Sequence, residues 1–140
     1  MRDRVRTTIL TAALLATTPL LGTAGAAAAP TALYPPSALV LAVGPGDGRD
    51  AAAPVSRAVT LSCAPTPSGT HPAPQRACTA LRAAAGDPAA LHGRQRRCPA
   101  LVDPVTATAD GVWQGRRVSY RETFHNRCAL LTARGDAFDF

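Results

Sequence analysis

Apolar residues in this chain come in short runs that proline and glycine repeatedly interrupt. Ser37 to Val43 is a β-prone apolar run, stopped by Gly44-Pro45-Gly46-Asp47-Gly48. Val55 to Cys63 alternates, which places Val59 and Leu61 on one face of a second strand. Between Cys63 and Cys78 the proline-rich sequence predicts a loop, followed by a helix that starts near Pro74 or Gln75. That helix should run to about Ala85 and stop at Gly86, with Cys78 and Leu81 one turn apart on its inward face. Residues 87 to 97 predict at most a turn or short helix.

Further on, Val105 to Ala109 and Arg116 to Phe124 frame Asp110-Gly111-Val112-Trp113-Gln114-Gly115, a hairpin with a longer connection. A brief helical turn is expected around Cys128. Ala129 to Phe140 then reads as a last strand, with Phe138 and Phe140 on the same face. About five short strands with one or two helices make an α+β fold built on an antiparallel sheet. No internal repeat is visible.

The N-terminus follows another pattern. Arg2, Arg4 and Arg6 precede an apolar stretch from Ile9 to Leu21, and the small residues Gly22 to Ala29 follow it. This is the layout of a cleaved secretory signal, with the cut expected between Ala26 and Pro30. The apolar stretch is short for a membrane span, which takes about 20 residues. Residues 1–29 are therefore expected to be a leader and 30–140 a single domain, secreted to the extracellular medium. Pro30 to Pro36 reads as an extended arm.

Charge and motifs exclude several function classes. Every basic residue is an arginine, and without the leader twelve arginines face eight acids. The excess is small and scattered, and Arg94, Arg96 and Arg97 form its one cluster, so nucleic acid is not an expected partner. The glycine-rich Gly44–Gly48 piece lacks the lysine and Ser/Thr of a phosphate cradle. His71, His92 and His125 are scattered and no Cys-x-x-Cys occurs, so neither a metal nor a cofactor is expected. Ser119, His125 and Asp110 could supply a catalytic trio, but Ser119 lies in a predicted strand without the glycines of a nucleophile elbow, and no enzyme is expected.

Export implies an oxidising compartment, where four cysteines should pair. Three pairings are open; Cys63 with Cys78 and Cys98 with Cys128 is the most local. Cys98 also opens the segment Cys98-Pro99-Ala100-Leu101-Val102-Asp103-Pro104. A cysteine and two prolines stiffen its ends, and the residues between them are small or apolar. A stretch held extended and exposed in this way is what a protease cleft reads as substrate.

At this point the chain resembles the Streptomyces-type subtilisin inhibitor family over nearly all of residues 30–140. The matching segments include Ala32-Leu33-Tyr34, Pro36 to Leu41, Arg57 to Pro65, Pro67 to Pro74, Cys98-Pro99, Asp103-Pro104-Val105 and Asp110 to Tyr120. The resemblance implies a five-stranded antiparallel sheet with two helices, the pairings Cys63–Cys78 and Cys98–Cys128, and a homodimer formed through the sheet. Val40 and Trp113 would be contact residues of that dimer. It also implies inhibition of subtilisin-like serine proteases through a reactive bond, here Ala100–Leu101, with Arg97, Cys98, Pro99, Val102, Asp103 and Pro104 completing the inhibitory loop. The family more often has a larger residue, such as Met or Lys, at the position of Ala100. Alanine there suits a small or apolar primary pocket, as in subtilisin-like or elastase-like enzymes, with chymotrypsin-like ones also considered. Arg97 is a second departure, at a position where subtilisins favour apolar groups. The alternative is a non-inhibitory secreted binding or scaffold protein on the same fold, with a metalloprotease or transglutaminase as partner and Gln75 and Gln114 as the glutamines concerned.

Overall fold

A computed structural model describes residues 34–46 and 54–140 of the chain. Five strands, β1 (Ala38–Pro45), β2 (Arg57–Ser62), β3 (Ser68–Gly69), β4 (Val105–Trp113) and β5 (Arg116–Phe124), form an antiparallel sheet in the order β3-β2-β1-β4-β5. Helix α1 (Pro74–Ala83) follows β3, and helix α2 (Arg127–Arg134) follows β5. Single 3-10 turns lie at Pro88–Ala90 and Gly135–Ala137. The leader read from the sequence and the residues of the extended arm before Tyr34 lie outside the described residues.

Period-two alternation, legible in the sequence at Val59 and Leu61, sorts the sheet into two faces. Register puts Leu41 opposite Val59 on one side and Ala109 on the other. Leu39, Leu41, Val43, Val59, Leu61, Ala107, Ala109 and Trp113 share the buried face, in one core with Cys78, Leu81, Leu91, Leu130 and Phe138. The opposite face carries Val40 between Thr60 and Asp110. Val40 remains 49% exposed there, whereas Trp113 is only 3% exposed and belongs to the core.

Three elements differ from the sequence reading. The last strand expected over Ala129–Phe140 is instead α2 and a 3-10 turn. Asn126 caps α2 by accepting the Ala129 amide at 2.9 Å, and the good helix formers Ala129, Leu130, Leu131 and Ala133 follow it. Phe138 and Phe140 are both buried, but the chain that carries them is not extended in a strand. The fifth strand is the two-residue β3, inside the proline-rich interval expected to be a loop. Thr60 and Thr70 clamp it reciprocally, each backbone amide donating to the other's hydroxyl at 2.8 and 3.1 Å. The hairpin connection is also shorter than expected, since β4 continues through Trp113, which pairs with Arg116. Only Gln114 and Gly115 turn the chain, at φ 48° and 78°. Positive φ at both positions is the type I′ geometry that matches strand twist, and glycine adopts it without strain.

Both expected disulfides are formed, with Cα–Cα distances of 5.4 Å for Cys63–Cys78 and 5.6 Å for Cys98–Cys128. The first joins the end of β2 to α1, and Arg82 reinforces it by donating to the Cys63 carbonyl at 2.9 Å.

His71 locks the C-terminus onto this corner. Its Nδ1 accepts the Ala73 amide at 3.0 Å, so Nε2 carries the hydrogen toward the Ala137 carbonyl at 3.2 Å. The ring meets Phe140 edge-on, with centroids 5.6 Å apart. Burial pushes the imidazole pKa below 6.5, with a smaller contribution from Arg76, against the opposing pull of the Ala137 carbonyl and Asp139. The folded state thus resists protonation that the unfolded chain accepts. This contribution to stability is complete above pH 6.5 and declines as the pH falls below it. Urea unfolding should therefore show a falling midpoint between roughly pH 7.5 and 5, and a His71→Gln variant should lose that component of the slope.

Candidate functional site

From Leu91 to Pro104 the chain has no regular structure, yet it is pinned at both ends. Leu91 is buried, and the Gly93 amide donates to the Thr132 carbonyl at 3.1 Å. Backbone approaches backbone here: a Cβ on Gly93 would lie 2.0 Å from the Leu131 carbonyl oxygen, so only glycine fits without displacement. Arg94 to Arg97 then run exposed to Cys98, which the disulfide ties to Cys128 in the first turn of α2. At the far end the Asp103 amide donates to the His125 carbonyl at 2.8 Å, and the Pro104 carbonyl accepts the Gly46 amide at 2.9 Å. Val105 follows as the first residue of β4.

Between these anchors Pro99, Ala100, Leu101 and Val102 are all exposed, with Leu101 at 65% and Val102 at 70%. Burying such side chains is worth about 1.5–3 kcal/mol each, a gain this fold leaves to an outside surface. Behind them His125, Asn126 and Ala129 line a shallow hollow.

Asn126 decides the shape of this segment. It is 8% exposed, and its Nδ2 donates both to the Pro99 carbonyl at 3.3 Å and to the Leu101 carbonyl at 2.8 Å. Those carbonyls flank the Ala100–Leu101 peptide bond, so one amide group holds the backbone on both sides of it. The same side chain caps α2 through Oδ1. Sequence reasoning passed over Asn126. An Asn ahead of a run of helix formers signals a cap, but nothing in the sequence signals contacts to residues 25 and 27 positions away.

The platform beneath is itself braced. Arg134 at the end of α2 donates to Glu122 of β5 at 2.5 Å, to the Tyr120 hydroxyl at 2.9 Å and to the Leu91 carbonyl at 3.2 Å. Tyr120 in turn donates to Glu122 at 2.7 Å. Burial, and then its hydrogen bond to Glu122, push the Tyr120 phenol up to about 12. Burial works against the Glu122 charge, but the donors Tyr120 and Arg134 outweigh it and hold the carboxyl below its usual range. Helix α2, which carries Cys128 and the Asn126 cap, is thus fixed to the sheet.

The other candidate residues do not assemble into a site. Ser119 donates to Asp110 at 3.0 Å on an exposed part of the sheet, and no imidazole lies on that hydroxyl among the described residues. His125 serves the loop through its carbonyl. Gln75 and Gln114 are exposed, on α1 and at the hairpin turn. Among the described residues no group of three or more His, Cys, Asp or Glu could hold a metal ion, and no helix is long and apolar enough to cross a membrane.

Comparison with known proteins gives this geometry a context. The subtilisin inhibitor-like family matches residues 35–126, most of the described chain. The chain belongs to that family. A trypsin inhibitor from Streptomyces longisporus is 60% identical over 113 residues, which span 79% of this chain and 78% of the relative. A subtilisin inhibitor from Streptomyces albogriseolus is 54% identical over 125 residues, 87% of this chain and 86% of its own length. Among solved structures, Streptomyces caespitosus sermetstatin, crystallised in complex with Bacillus licheniformis subtilisin, superposes with a TM-score of 0.65. It is 44% identical, and the match covers 75% of this chain and 99% of sermetstatin. The α+β architecture, the five-stranded antiparallel sheet, the two helices and both disulfides expected from the resemblance are all present.

Proposed function

We propose that this member of the subtilisin inhibitor-like family is a secreted inhibitor of subtilisin-like serine endopeptidases, itself without enzymatic activity, and that Ala100–Leu101 is its reactive bond. The observation that carries the reading is the exposed Pro99–Val102 segment, whose central bond is bracketed by the two Asn126 hydrogen bonds and tethered by Cys98–Cys128.

The chemistry belongs to the target. Residues before the bond add a strand to the edge of the cleft through main-chain hydrogen bonds. The target's serine attacks the Ala100 carbonyl; the Ala100–Leu101 bond breaks, an ester to Ala100 forms, and Leu101 leaves as an amine that takes its proton from the target's histidine. In a flexible peptide that amine diffuses away and water completes hydrolysis. Here Asn126 holds the Leu101 carbonyl and the Asp103 amide is bound to His125, so the amine stays in place and re-forms the bond. Pre-ordering also reduces the entropy lost on association, which is how an interface of ordinary size becomes tight.

In this reading residues 1–29 are the secretory leader, and a second copy covers the open face of the sheet around Val40. The test is titration of subtilisin with the purified secreted protein. Activity should fall linearly to zero near molar equivalence. Full activity in molar excess of the protein refutes the proposal.

A further inference from the structure

Among the described residues four polar side chains are buried: Ser37, His71, Thr106 and Asn126. Ser37 accepts the Gln114 amide at the β4–β5 turn, His71 holds the C-terminal corner, and Asn126 holds the loop. Thr106, 4% exposed in β4, lies two residues beyond Pro104, where the loop ends. A buried hydroxyl needs partners, and this one has two. It donates to the Gly46 carbonyl at 3.1 Å. A hydroxyl has one hydrogen to give, so Thr123 is the donor in the 3.0 Å bond between Thr123 and Thr106. Thr123 stands opposite Thr106 in the β4–β5 register and thereby turns that hydroxyl toward Gly46.

Gly46 passes the contact on to the loop. It follows the last residue of β1, and its amide donates to the Pro104 carbonyl at 2.9 Å. The β1–β4 ladder, whose last pair is Pro45 with Val105, thus gains one more rung. Pro104 is the root of the stub that carries the new amine once Ala100–Leu101 opens. From Leu101 to Pro104 an extended chain spans about 10 Å, so a tilt of about 10° at the root moves the amine by about 2 Å. A misplacement of about 1 Å can already cost a reaction about a hundredfold.

We propose that Thr106 is a positioning residue of the inhibitory loop: through Gly46 it fixes Pro104, and so keeps the Leu101 amine where it re-forms the bond. The inference rests on Ala100–Leu101 being the reactive bond. Thr106 acts at the root of the leaving side, so its effect shows in the fate of the cut loop and not in docking.

The experiment compares the purified protein with Thr106→Val, Thr106→Ser and Thr123→Val variants. Each is incubated with catalytic amounts of subtilisin, KM and kcat for cutting Ala100–Leu101 are followed by mass spectrometry, and the melting temperature is recorded alongside. Thr106→Val should be cut with a kcat raised about three- to tenfold, as one lost hydrogen bond implies, at a KM within about twofold of the parent. Thr106→Ser keeps the hydroxyl and should match the parent. Thr123→Val removes the partner hydroxyl but leaves the bond to Gly46, so it should be cut as slowly as the parent even where its melting temperature falls. Thr106→Val as resistant as the parent, or Thr123→Val cut as fast as Thr106→Val, overturns the positioning role while leaving the inhibitor intact. Cutting of the parent at another bond overturns the bond assignment on which the proposal rests. Full subtilisin activity in molar excess of the parent overturns the inhibitor reading itself.

Discussion

An Asn126→Ala variant should still bind subtilisin but should be cut at Ala100–Leu101 and released, while the parent persists. The substitution removes the two donors that hold the Pro99 and Leu101 carbonyls, together with the cap on α2. The cap is worth about 1 kcal/mol, and each hydrogen bond contributes about 0.5–1.5 kcal/mol net. Both disulfides and the core stay in place, so the protein should fold with a modestly lower melting temperature. The loop, by contrast, loses the tether on the leaving side of the bond. Hydrolysis by catalytic amounts of subtilisin should rise roughly tenfold to a hundredfold, as about 1.4–2.8 kcal/mol of lost ordering implies. Mass spectrometry would show the nicked chain still joined through Cys98–Cys128. An Asn126→Asp variant separates the two functions of this residue. It keeps an oxygen for the Ala129 amide but turns a second oxygen toward the Pro99 and Leu101 carbonyls, which repel it, so it should keep the α2 cap, release the loop and still be cleaved. An Asp variant as resistant as the parent would place the clamp elsewhere.

That Asn126 governs the loop marks where the sequence stopped being informative. Alternation at Val59 and Leu61 was enough to orient β2, because a strand with one buried face must repeat every two residues, whereas Ser37 to Val43 is apolar on both faces and was legible only as a strand. Helix α1 was legible from Pro74 and the spacing of Cys78 and Leu81. Helix α2 was legible only as a brief turn around Cys128, because the segment Ala129–Phe140 that continues it ends in Phe138-Asp139-Phe140, whose alternation imitates a strand, while its Asn126 cap fell outside the pattern. Strand β3 owes its existence to pairing with β2 and to the Thr60–Thr70 clamp, so local propensity could not reveal it. The loop itself was conspicuous, since a cysteine and two prolines bound an apolar run. What holds it was invisible, because the holding groups come from the connection between β5 and α2 and meet the loop only in the fold.

Ala100→Lys should turn the protein into a trypsin inhibitor, by a larger factor than any other single change considered. Ala100 is exposed and makes no side-chain hydrogen bond, so lysine at this position disturbs no packing and leaves the loop backbone as it is. In trypsin the primary pocket ends in a buried carboxylate, which in the parent complex would face a methyl group and remain unpaired. A lysine ammonium satisfies it, and breaking such a buried, desolvated charge pair typically costs about 3–5 kcal/mol. Trypsin inhibition should therefore tighten by two to three orders of magnitude, by analogy with about 1.4 kcal/mol per tenfold. Leu101→Lys and Val102→Lys serve as controls, because they put the same charge on the leaving side of the bond. Neither should acquire trypsin inhibition if Ala100 fills the primary pocket. A gain from Leu101→Lys with none from Ala100→Lys would move the reactive bond one residue along the chain. The clamp would then be read anew, since the Asn126 bonds to Pro99 and Leu101 centre on Ala100–Leu101 and on no neighbouring bond.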